Sequence, residues 1–529
     1  MVRSSIQADL KKNRTDINSK YSSSTKNRKF PSNATSEVAP STYPSKISAR
    51  GPHKLHTLDN TKKTRELEQI MESYNILESG VGLNRRTRIL EKLATLLKQW
   101  VRNVSIAQGF TVVQAKKLGG NLYTFGSYRL GVHQKDADID ALCVVPRNIE
   151  RAAFFKSFYE LLRTHPEVSE CVAVERAFVP VIKMKFDGVE IDLLLARMAL
   201  KRIPADLDLR NSALLKHMDP QSVRSLNGCR VTDEILSAVP DVENFRLALR
   251  VIKLWAKKNG VYSNILGYLG GVSWAMMVAK VCQVNPNSSA ATLVHKFFQL
   301  FANWEWPQPV LLKRPKVLDL GFRVWNPTTN AQDRTHLMPI ITPAYPEQNS
   351  TFNVSVSTRK VIMREIVRGA QIMDEIMSGK SEWHKLFKGS FFFVKYQHFL
   401  VLTASSPNAN NHTAWRGLVE SKIRHLIGGL DRDSRIALAH VHPKNFGPRS
   451  SKMDEVDGDG SSTHWLIGLE FRRSNQMHVD LRDPIRDFDE AVKYSASQNG
   501  MSNKGMTVEV QHVRRNQLAE FLSADSFHV

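Results

Sequence analysis

Apolar residues first recur at helical spacing between residues 61 and 104. The segment TKKTRELEQIMESYNIL, residues 61–77, shows this spacing, and RTRILEKLATLLKQWVRNV, residues 86–104, repeats it along a single stripe. The apolar stripe of the second segment consists of Ile89, Leu93, Leu96, Leu97, Trp100 and Val104. Both segments are therefore predicted to form helices that each bury one face.

After residue 104 the spacing of apolar residues changes from the helical period to the period of strands. Four runs of strand-forming residues follow, with one helical segment among them. The predicted strands are NLYTFGSY, ADIDALCVVP, AFVPVIKMKF and VEIDLLLAR, at residues 121–128, 137–146, 177–186 and 189–197. The helical segment AAFFKSFYELLRTH, residues 152–165, lies between the second and the third of them. This succession predicts a small α/β unit over residues 85–200.

Residues 201–377 are mainly helical in pattern, with Pro-containing loops between the helices. The clearest helix is ENFRLALRVIKLWAKKNG, residues 243–260, in which Phe245, Leu249 and Ile252 lie on one apolar face together with Ala256. We therefore expect a central helical domain after the α/β unit.

In residues 378–529 the predicted elements follow the order strand, helix, strand, strand, helix, strand. The segments in this order are KYQHFLVLTA, AWRGLVESKIRHLIGGL, IALAHVHP, HWLIGLEFRR, FDEAVKYSA and MTVEVQHVRR. That order is typical of a ferredoxin-like or RRM-like domain. The whole chain is thus predicted to be an α+β, multidomain protein.

The charge balance points to a polyanionic partner. The chain of 529 residues has a formal net charge of +23, and residues 1–50 contribute only +7 of it, so that +16 lies on the rest. A basic excess of this size on a folded body is typical of nucleic-acid binding, with a membrane surface as the second alternative.

The composition of the N-terminal region predicts an extension that precedes the folded body. Residues 1–58 are rich in Ser, Asn, Lys and Pro and are predicted to be a disordered basic extension, followed by a helical segment at 59–84 that packs with the central domain. Such a basic extension can also be a mitochondrial transit peptide, but Asp9 and Asp16 and the lack of an amphipathic apolar face argue against it. A nuclear or RNA-contacting arm is the favoured interpretation.

The sequence predicts neither a membrane span nor a cysteine-based zinc or disulfide framework. No stretch approaches the ~18 consecutive apolar residues that a membrane span requires, so we expect no membrane partner. The four cysteines, Cys143, Cys171, Cys229 and Cys282, form no CxxC pair, which argues against a zinc cluster and a disulfide framework. We expect them to be reduced thiols in the core of an intracellular protein.

Three aspartates are the strongest candidates for chemistry. Asp138 and Asp140 alternate at the start of the strand ADIDALCVVP, and Asp192 lies in the apolar strand VEIDLLLAR. Residues two apart share a strand face, with Cα atoms about 7 Å apart, and buried carboxylates are costly unless something pairs with them. Three converging carboxylates suit Mg²⁺ or Mn²⁺ held jointly with substrate phosphates. We predict a site for two such ions, which would polarise an attacking hydroxyl and a departing pyrophosphate; the alternative is a surface loop that binds nothing.

A glycine–serine turn precedes the acidic pair by about twelve residues. Gly126 permits close approach of the backbone, and its amide region together with Ser127 can bind phosphate oxygens at a helix N-terminus. Such a turn alone is weak evidence, but a turn followed by the acidic pair and a later strand aspartate is a strong joint signal.

A basic stripe runs along the helix at 243–260, opposite its apolar face. Arg246, Arg250, Lys253 and Lys257 recur at helical spacing. A stripe of this kind is commonly a solvated surface. Because a triphosphate beside a carboxylate site needs counter-charges, we predict that Lys253 and Lys257 bind the nucleotide.

The turn, the acidic pair and the later aspartate together resemble the DNA polymerase β-like nucleotidyltransferase superfamily. Longer motifs resemble the eukaryotic poly(A) polymerases within it, from about residue 60 to the C-terminus. These motifs are FGSYRLGVH, ADIDALCV, AFVPVIK, GVEIDLLLAR, SLNGCRVTDEIL, IKLWAKKNGVYSNILGYLGGVSWAM, ATLVHKFF, NWEWPQPVLLK and HLMPIITPAYPEQNSTFNVS. The resemblance implies a polymerase β-like nucleotidyltransferase domain, a helical central domain and an RNA-binding C-terminal domain.

The resemblance also implies roles for individual residues. Asp138 and Asp140 would bind both metal ions, and Asp192 would complete the site and help to deprotonate an RNA 3′-hydroxyl. The implied nucleotide-binding residues are Phe125, Gly126, Ser127, Asp138, Asp140, Asp192, Asn227, Lys253, Lys257, Tyr262, Gly271 and Val272. In the RNA-binding domain, sequence-tolerant phosphate contacts are expected from basic residues such as Lys422, Arg424, Arg472, Arg473, Arg514 and Arg515.

The chain departs from the family pattern just before the acidic pair. Gln134 and Asp136 stand where the family typically has Thr and Gly. The threonine is thought to touch the nucleotide, so the role of Gln134 is open. Asp136 adds negative charge near the metal site and is expected to modulate metal affinity while activity is kept.

The expected function is template-independent addition of AMP from ATP to RNA 3′ ends, with release of pyrophosphate by a two-metal mechanism. Two alternatives stay open: a transferase that prefers another nucleotide (uridylyl or CCA addition), and a catalytically inactive RNA-binding 3′-processing factor. The expected partners are ATP, an RNA 3′ end and subunits of the 3′-end cleavage and polyadenylation complex, around a monomeric enzyme. A nuclear location is favoured over the cytoplasm, and both over the mitochondrion.

Overall fold

A computed structural model describes residues 55–315, 318–389, 391–447, 461–472, 479–501 and 505–522. The predicted basic extension at 1–58 lies outside the described residues apart from its last four. Those four residues are the first of the helix Leu55–Ser73. Arg473 also lies outside the described residues.

The described residues form α-helices and nine strands. The α-helices are Leu55–Ser73, Gly80–Ala107, Val112–Leu118, Gly126–Leu130, Arg151–Ala153, Tyr159–Arg163, Pro220–Ala238, Val242–Lys258, Gly271–Val284, Ala290–Ala302, Ala331–Arg334, Val356–Met377, Phe392–Lys395, Ala409–Arg432 and Arg482–Gln498. A π-helical turn, Phe154–Phe158, joins two of them, and 3₁₀ turns lie at Ser212–Leu215, Trp383–Phe387 and Arg515–Glu520. The strands are β1 Asn121–Thr124, β2 Ile139–Val145, β3 Val168–Val174, β4 Val181–Phe186, β5 Val189–Arg197, β6 His398–Ser406, β7 Ile436–Val441, β8 Ser461–Phe471 and β9 Thr507–Arg514. None of the described helices is long and apolar enough to cross a bilayer.

The first five strands form one mixed sheet, which we call the catalytic sheet. Its order is β1–β2–β5–β4–β3, with β2 and β5 parallel and the other neighbours antiparallel. The helix Gly80–Ala107 packs on one face through Ile89, Leu93 and Leu97 together with Trp100. Four of the six predicted stripe residues are thus fully buried, whereas Leu96 and Val104 are partly buried.

Two details of the catalytic sheet differ from the sequence prediction. The predicted strand over residues 121–128 ends at Thr124, because the chain turns at Gly126, with φ of +62°, into the short helix Gly126–Leu130. Strand β3 was not predicted. It is the edge strand, most of its residues are exposed or half-buried, and it therefore lacks the apolar run of a central strand.

The central region is built around the helix Val242–Lys258. Asp241 caps it by accepting hydrogen bonds from the amides of Glu243 and Asn244, both at 3.0 Å. The predicted apolar face is confirmed: Phe245, Leu249, Ile252 and Ala256 are all buried.

The last four strands form the C-terminal sheet, in the order β7–β8–β6–β9 with antiparallel neighbours. This is the strand arrangement that the predicted ferredoxin-like order requires. Its core is continuous with that of the central helices. Buried Tyr268 of the central region donates a hydrogen bond of 2.6 Å to the carbonyl of Val441 in β7. The predicted α+β architecture is confirmed.

Candidate active site

The three predicted aspartates meet at one edge of the catalytic sheet. Because β2 and β5 are parallel neighbours in register, Asp140 lies directly opposite Asp192. Asp138 comes one residue before β2 begins. One carboxylate oxygen of each lies within 4.8 Å of the others. A set of three hard oxygen donors this close together fits a divalent cation such as Mg²⁺ or Mn²⁺.

The electrostatics of the cluster favour a cation. Burial, followed by the neighbouring carboxylates of Asp138 and Asp192, raises the pKa of Asp140 to about 7. Lys183 and Lys253 act in the opposite direction. The folded chain therefore holds its carboxylates close together at a cost, which a bound cation would offset.

Lys183 was not among the predicted site residues. It lies on β4 opposite Asp192, and its ammonium forms an ion pair with that carboxylate. The sequence VIKMKF shows only an amphipathic strand, and the contact depends on the antiparallel register of β4 with β5. The strand register, once known, identifies Lys183 directly.

The glycine–serine turn lies against the acidic cluster. A Cβ atom on Gly126 would overlap the carboxylate of Asp140, and φ at Gly126 is +62°, so glycine is required on two grounds. The amide of Gly126 donates to Oγ1 of Thr232 at 3.2 Å, and the amide of Phe125 donates to the carbonyl of Asp140 at 3.0 Å. The turn and the acidic strand are therefore fixed to each other.

A cavity of about 780 Å³ opens beside the turn and the acidic pair. Eleven of the twelve predicted nucleotide-binding residues line it, namely Phe125, Gly126, Ser127, Asp138, Asp140, Asn227, Lys253, Lys257, Tyr262, Gly271 and Val272. Asp192, the twelfth, is not among the lining residues, but one of its carboxylate oxygens lies within 4.8 Å of those of Asp138 and Asp140, which are. Gln134 and Asp136, the two departures, also line the cavity.

Asn227 supplies an unused acceptor in this cavity. Its Oδ1 is buried and has no hydrogen-bond partner among the described residues. Buried polar atoms are rarely left unpaired in a folded protein, since the loss of water is then uncompensated. An unpaired amide oxygen at the cavity wall indicates a ligand that donates a hydrogen bond.

Tyr262 and Gly271 are fitted to each other on the far side of the cavity. A Cβ atom on Gly271 would fall 2.6 Å from the hydroxyl oxygen of Tyr262, so a larger residue there would displace that hydroxyl. Burial raises the pKa of Tyr262 to about 12, so the hydroxyl stays protonated and can donate. Val272 follows at the start of the helix Gly271–Val284.

The basic stripe divides into two kinds of residue. Lys253 is buried and lines the cavity, and burial followed by the neighbouring charge of Lys257 lowers its pKa to about 8. Arg246 and Arg250, which do not line the cavity in the described structure, donate to the carbonyls of Leu130 and Gly131 at 2.9 and 2.6 Å. The two arginines therefore hold a loop.

The same loop is held from its other side by the N-terminal helical segment, which sequence reasoning did not place near the site. The amide of Lys135 donates to the carbonyl of Ile76 at 3.2 Å. Buried Arg86 donates to the carbonyl of Lys135 at 2.8 Å and pairs with Glu78 at 2.8 Å. Ile76 itself lines the cavity. Contacts to main-chain carbonyls leave no residue pattern, so no signal could have found them.

A mixed sheet with two carboxylates at the start of one strand and a third on its parallel neighbour is the arrangement of a nucleotidyltransferase. Three family models match the chain: the poly(A) polymerase nucleotidyltransferase domain at residues 46–239, the poly(A) polymerase central domain at 244–389, and the poly(A) polymerase predicted RNA binding domain at 390–459 and 449–527. The chain is 44% identical over 432 residues to "Poly(A) polymerase pla1" of Schizosaccharomyces pombe, covering 76% of it. The chain belongs to the poly(A) polymerase family.

Two further relatives are longer than this chain. It is 42% identical over 468 residues, or 87% of its length, to "Poly(A) polymerase" of Dictyostelium discoideum, and 39% identical over 477 residues, or 90%, to "Nuclear poly(A) polymerase 1" of Arabidopsis thaliana. The chain spans 57% and 65% of those two proteins. A solved structure of Cid1, titled for its RNA terminal uridylyl transferase activity, aligns with 63% of this chain and 99% of its own at 16% identity, with a TM-score of 0.44. A likeness that distant says nothing about substrate.

Proposed function

We propose that the protein adds AMP from ATP to RNA 3′ ends and releases pyrophosphate. The observation that carries this proposal is the cavity itself. Its wall combines the acidic cluster with two lysines and the unpaired acceptor of Asn227, so it can receive a triphosphate and a base edge together. Membership of the poly(A) polymerase family supports adenine as the base.

In this reaction the oxygen of an RNA 3′-hydroxyl attacks the α-phosphorus of ATP, and the bond from that phosphorus to the bridging oxygen breaks. Divalent cations held by Asp138, Asp140 and Asp192 would supply the charge that activates the hydroxyl and stabilises the departing pyrophosphate. Asp192 would accept the hydroxyl proton. Lys253 and Lys257 bring positive charge to the cavity that receives the phosphates.

The nucleotide contacts divide between the two sides of the cavity. Phe125, Gly126 and Ser127 lie on the catalytic side, where the turn approaches the phosphates. Tyr262 and the start of the helix at Gly271 face them from the central region, where we assign the ribose and the adenine.

Single-nucleotide extension of an oligo(A) primer tests this function. Each of the four ribonucleoside triphosphates is supplied separately, with Mg²⁺ and then with Mn²⁺. We expect ATP to be incorporated in preference to UTP, CTP and GTP. Preference for UTP or CTP would contradict the assignment of substrate, and extension with none of them would indicate an inactive RNA-binding factor.

We further propose that the C-terminal sheet and its helices bind the RNA. The described basic residues Lys422, Arg424, Arg472, Arg514 and Arg515 supply phosphate contacts on this unit. The name of the Arabidopsis relative supports a nuclear location for this chain. We also propose that it acts as a monomer together with subunits of the 3′-end cleavage and polyadenylation complex.

A further inference from the structure

The four cations of the basic stripe bind four acceptors, in chain order, at the end of the helix Gly126–Leu130 and on the loop that leads to the acidic pair. Arg246 donates to the carbonyl of Leu130 at 2.9 Å, and Arg250 donates to that of Gly131 at 2.6 Å. Lys253 donates to the carbonyl of Val132 at 3.3 Å. The fourth cation continues the series, because Nζ of Lys257 donates to Oε1 of Gln134 at 2.8 Å. The helix Val242–Lys258 and the loop are thus joined contact by contact.

The fourth contact differs from the first three in kind. The acceptors of Arg246, Arg250 and Lys253 are main-chain carbonyls, which any residue in the loop would provide. The acceptor of Lys257 is a side-chain amide, which exists only because residue 134 is glutamine. The contact of Lys257 is therefore the one contact of this series whose acceptor is supplied by a loop side chain.

Lys257 and Gln134 both line the cavity, together with Tyr262. The ammonium of Lys257 also lies 5.6 Å from the centroid of the Tyr262 ring. Neither the amide oxygen nor the ring carries a negative charge. These two contacts therefore hold the ammonium without neutralising its charge.

We propose that Gln134 is a positioning residue for nucleotide binding: its amide oxygen holds the Lys257 ammonium at the cavity wall without neutralising it, so that the ammonium meets the triphosphate of the incoming nucleotide. This inference rests on the proposed function, since it takes the cavity to receive a nucleoside triphosphate. Gln134 acts through Lys257 and changes binding of the nucleotide more than the chemical step.

The proposal predicts how KM for ATP changes when Gln134 is replaced by leucine or by glutamate. Leucine keeps the size of glutamine and removes the acceptor, so Gln134→Leu should raise KM for ATP by about fivefold, the usual effect of losing one ordinary hydrogen bond. Glutamate keeps the acceptor but neutralises Lys257 and adds a charge that repels phosphate, so Gln134→Glu should raise KM more than Gln134→Leu does. In both variants kcat should stay within about twofold of the wild-type value.

The decisive experiment is a double-mutant cycle in primer extension with ATP, using the full chain. Lys257→Met alone should raise KM at least as much as Gln134→Leu, and Gln134→Leu added to Lys257→Met should raise it no further. Lys258→Met is the matched control. Lys258 follows on the same helix and lies 5.8 Å from the ring of Tyr74, away from the residues that line the cavity.

Three results would overturn the proposal: an unchanged KM in Gln134→Leu, an equal rise caused by Gln134→Leu in the Lys257→Met background, or a lower KM in Gln134→Glu than in Gln134→Leu. A failure of the proposed function would look different. If the wild type prefers another nucleotide, the assignment of ATP is wrong, and the same cycle measured with the preferred nucleotide still supports or overturns the coupling of Gln134 to Lys257.

Discussion

The catalytic sheet and the C-terminal sheet both hold polar side chains in their interiors, and they differ in what surrounds those side chains. In the C-terminal unit, buried histidines have neutral hydrogen-bond partners. There His440 hydrogen-bonds with the hydroxyl of Tyr396 at 2.6 Å, and His412 with the hydroxyl of Thr463 at 2.7 Å. His464 hydrogen-bonds with Thr403 at 2.9 Å. In the catalytic sheet, by contrast, Asp140 faces two other carboxylates. Paired polar groups stabilise a fold, whereas groups of like charge held together indicate a site kept for a ligand.

The largest effect should follow from breaking the acidic cluster. Asp140→Asn keeps the shape of the side chain and removes its charge, so the cluster loses a ligand for the cations and we expect kcat to fall by at least about 1000-fold. Steady-state extension of oligo(A) measures this. Tyr396→Phe, which removes a hydroxyl from the C-terminal sheet, should leave kcat within about twofold while lowering stability by about 1 kcal/mol. Residual activity of Asp140→Asn above a tenth of wild type would contradict the assignment.

A smaller but still large effect should follow from displacing the same carboxylate without removing it. In Gly126→Ala the new Cβ overlaps the Asp140 carboxylate and the backbone stays at a φ that alanine rarely adopts. Because a shift of about 1 Å at a reacting centre can cost about 100-fold, we expect kcat/KM to fall by that order. Gly417→Ala is the control, since a Cβ on Gly417 meets nothing within 4 Å and its helix tolerates alanine. Equal losses in the two variants would show that the effect is not specific to the site.

Asn227 offers a test in which binding and stability should move in opposite directions. Asn227→Leu removes the buried unpaired Oδ1 and keeps the volume of the side chain, so the unfolding temperature should rise slightly. The same change should raise KM for ATP by about five- to tenfold, because the nucleotide loses an acceptor. Thermal melts and primer extension measure the two effects. A lower melting temperature with an unchanged KM would mean that Oδ1 serves the fold.

The smallest effect on activity should come from the histidines of the C-terminal sheet, where a pH-dependent stability is expected instead. Burial lowers the pKa of His442 to about 4, below the value near 6.5 of an unfolded chain. The unfolded state therefore takes up a proton first as the pH falls, and stability present above pH 6.5 is lost towards pH 4. At pH 5 this loss is about 2 kcal/mol for one histidine.

His442→Asn should reduce that pH dependence. Asparagine can accept the hydrogen bond that His442 takes from the amide of Lys444, but it does not titrate. Urea unfolding at pH 7.5 and at pH 5 should give a smaller difference for the variant than for the wild type, with primer extension unchanged at pH 7.5. An equal difference in both proteins would assign the pH dependence to other groups.

The acidic cluster and the apolar faces of the helices could be predicted from the sequence, because residue type and spacing along the chain are enough to identify them. Asp138, Asp140 and Asp192 stand out as carboxylates in apolar strands, and the apolar face of the helix Val242–Lys258 follows from spacing alone. Lys183 was missed because its contact needs the register of β4 against β5. The arginine contacts to Leu130 and Gly131 were missed because main-chain acceptors have no residue signature. The basic stripe was interpreted as one surface, and only the structure shows that all four cations contact the loop while only Lys253 and Lys257 also line the cavity.

The most direct test of the central claim is the thermal unfolding midpoint of the wild type and Asp140→Asn, measured with and without Mn²⁺ and ATP. Without ligands we expect the variant to unfold about 2 °C higher, because the repulsion among three carboxylates is relieved. With Mn²⁺ and ATP we expect the order to reverse, because only the wild type gains the full stabilisation of ligand binding. If the variant gained as much from Mn²⁺ and ATP as the wild type does, the three carboxylates would not be the cation site.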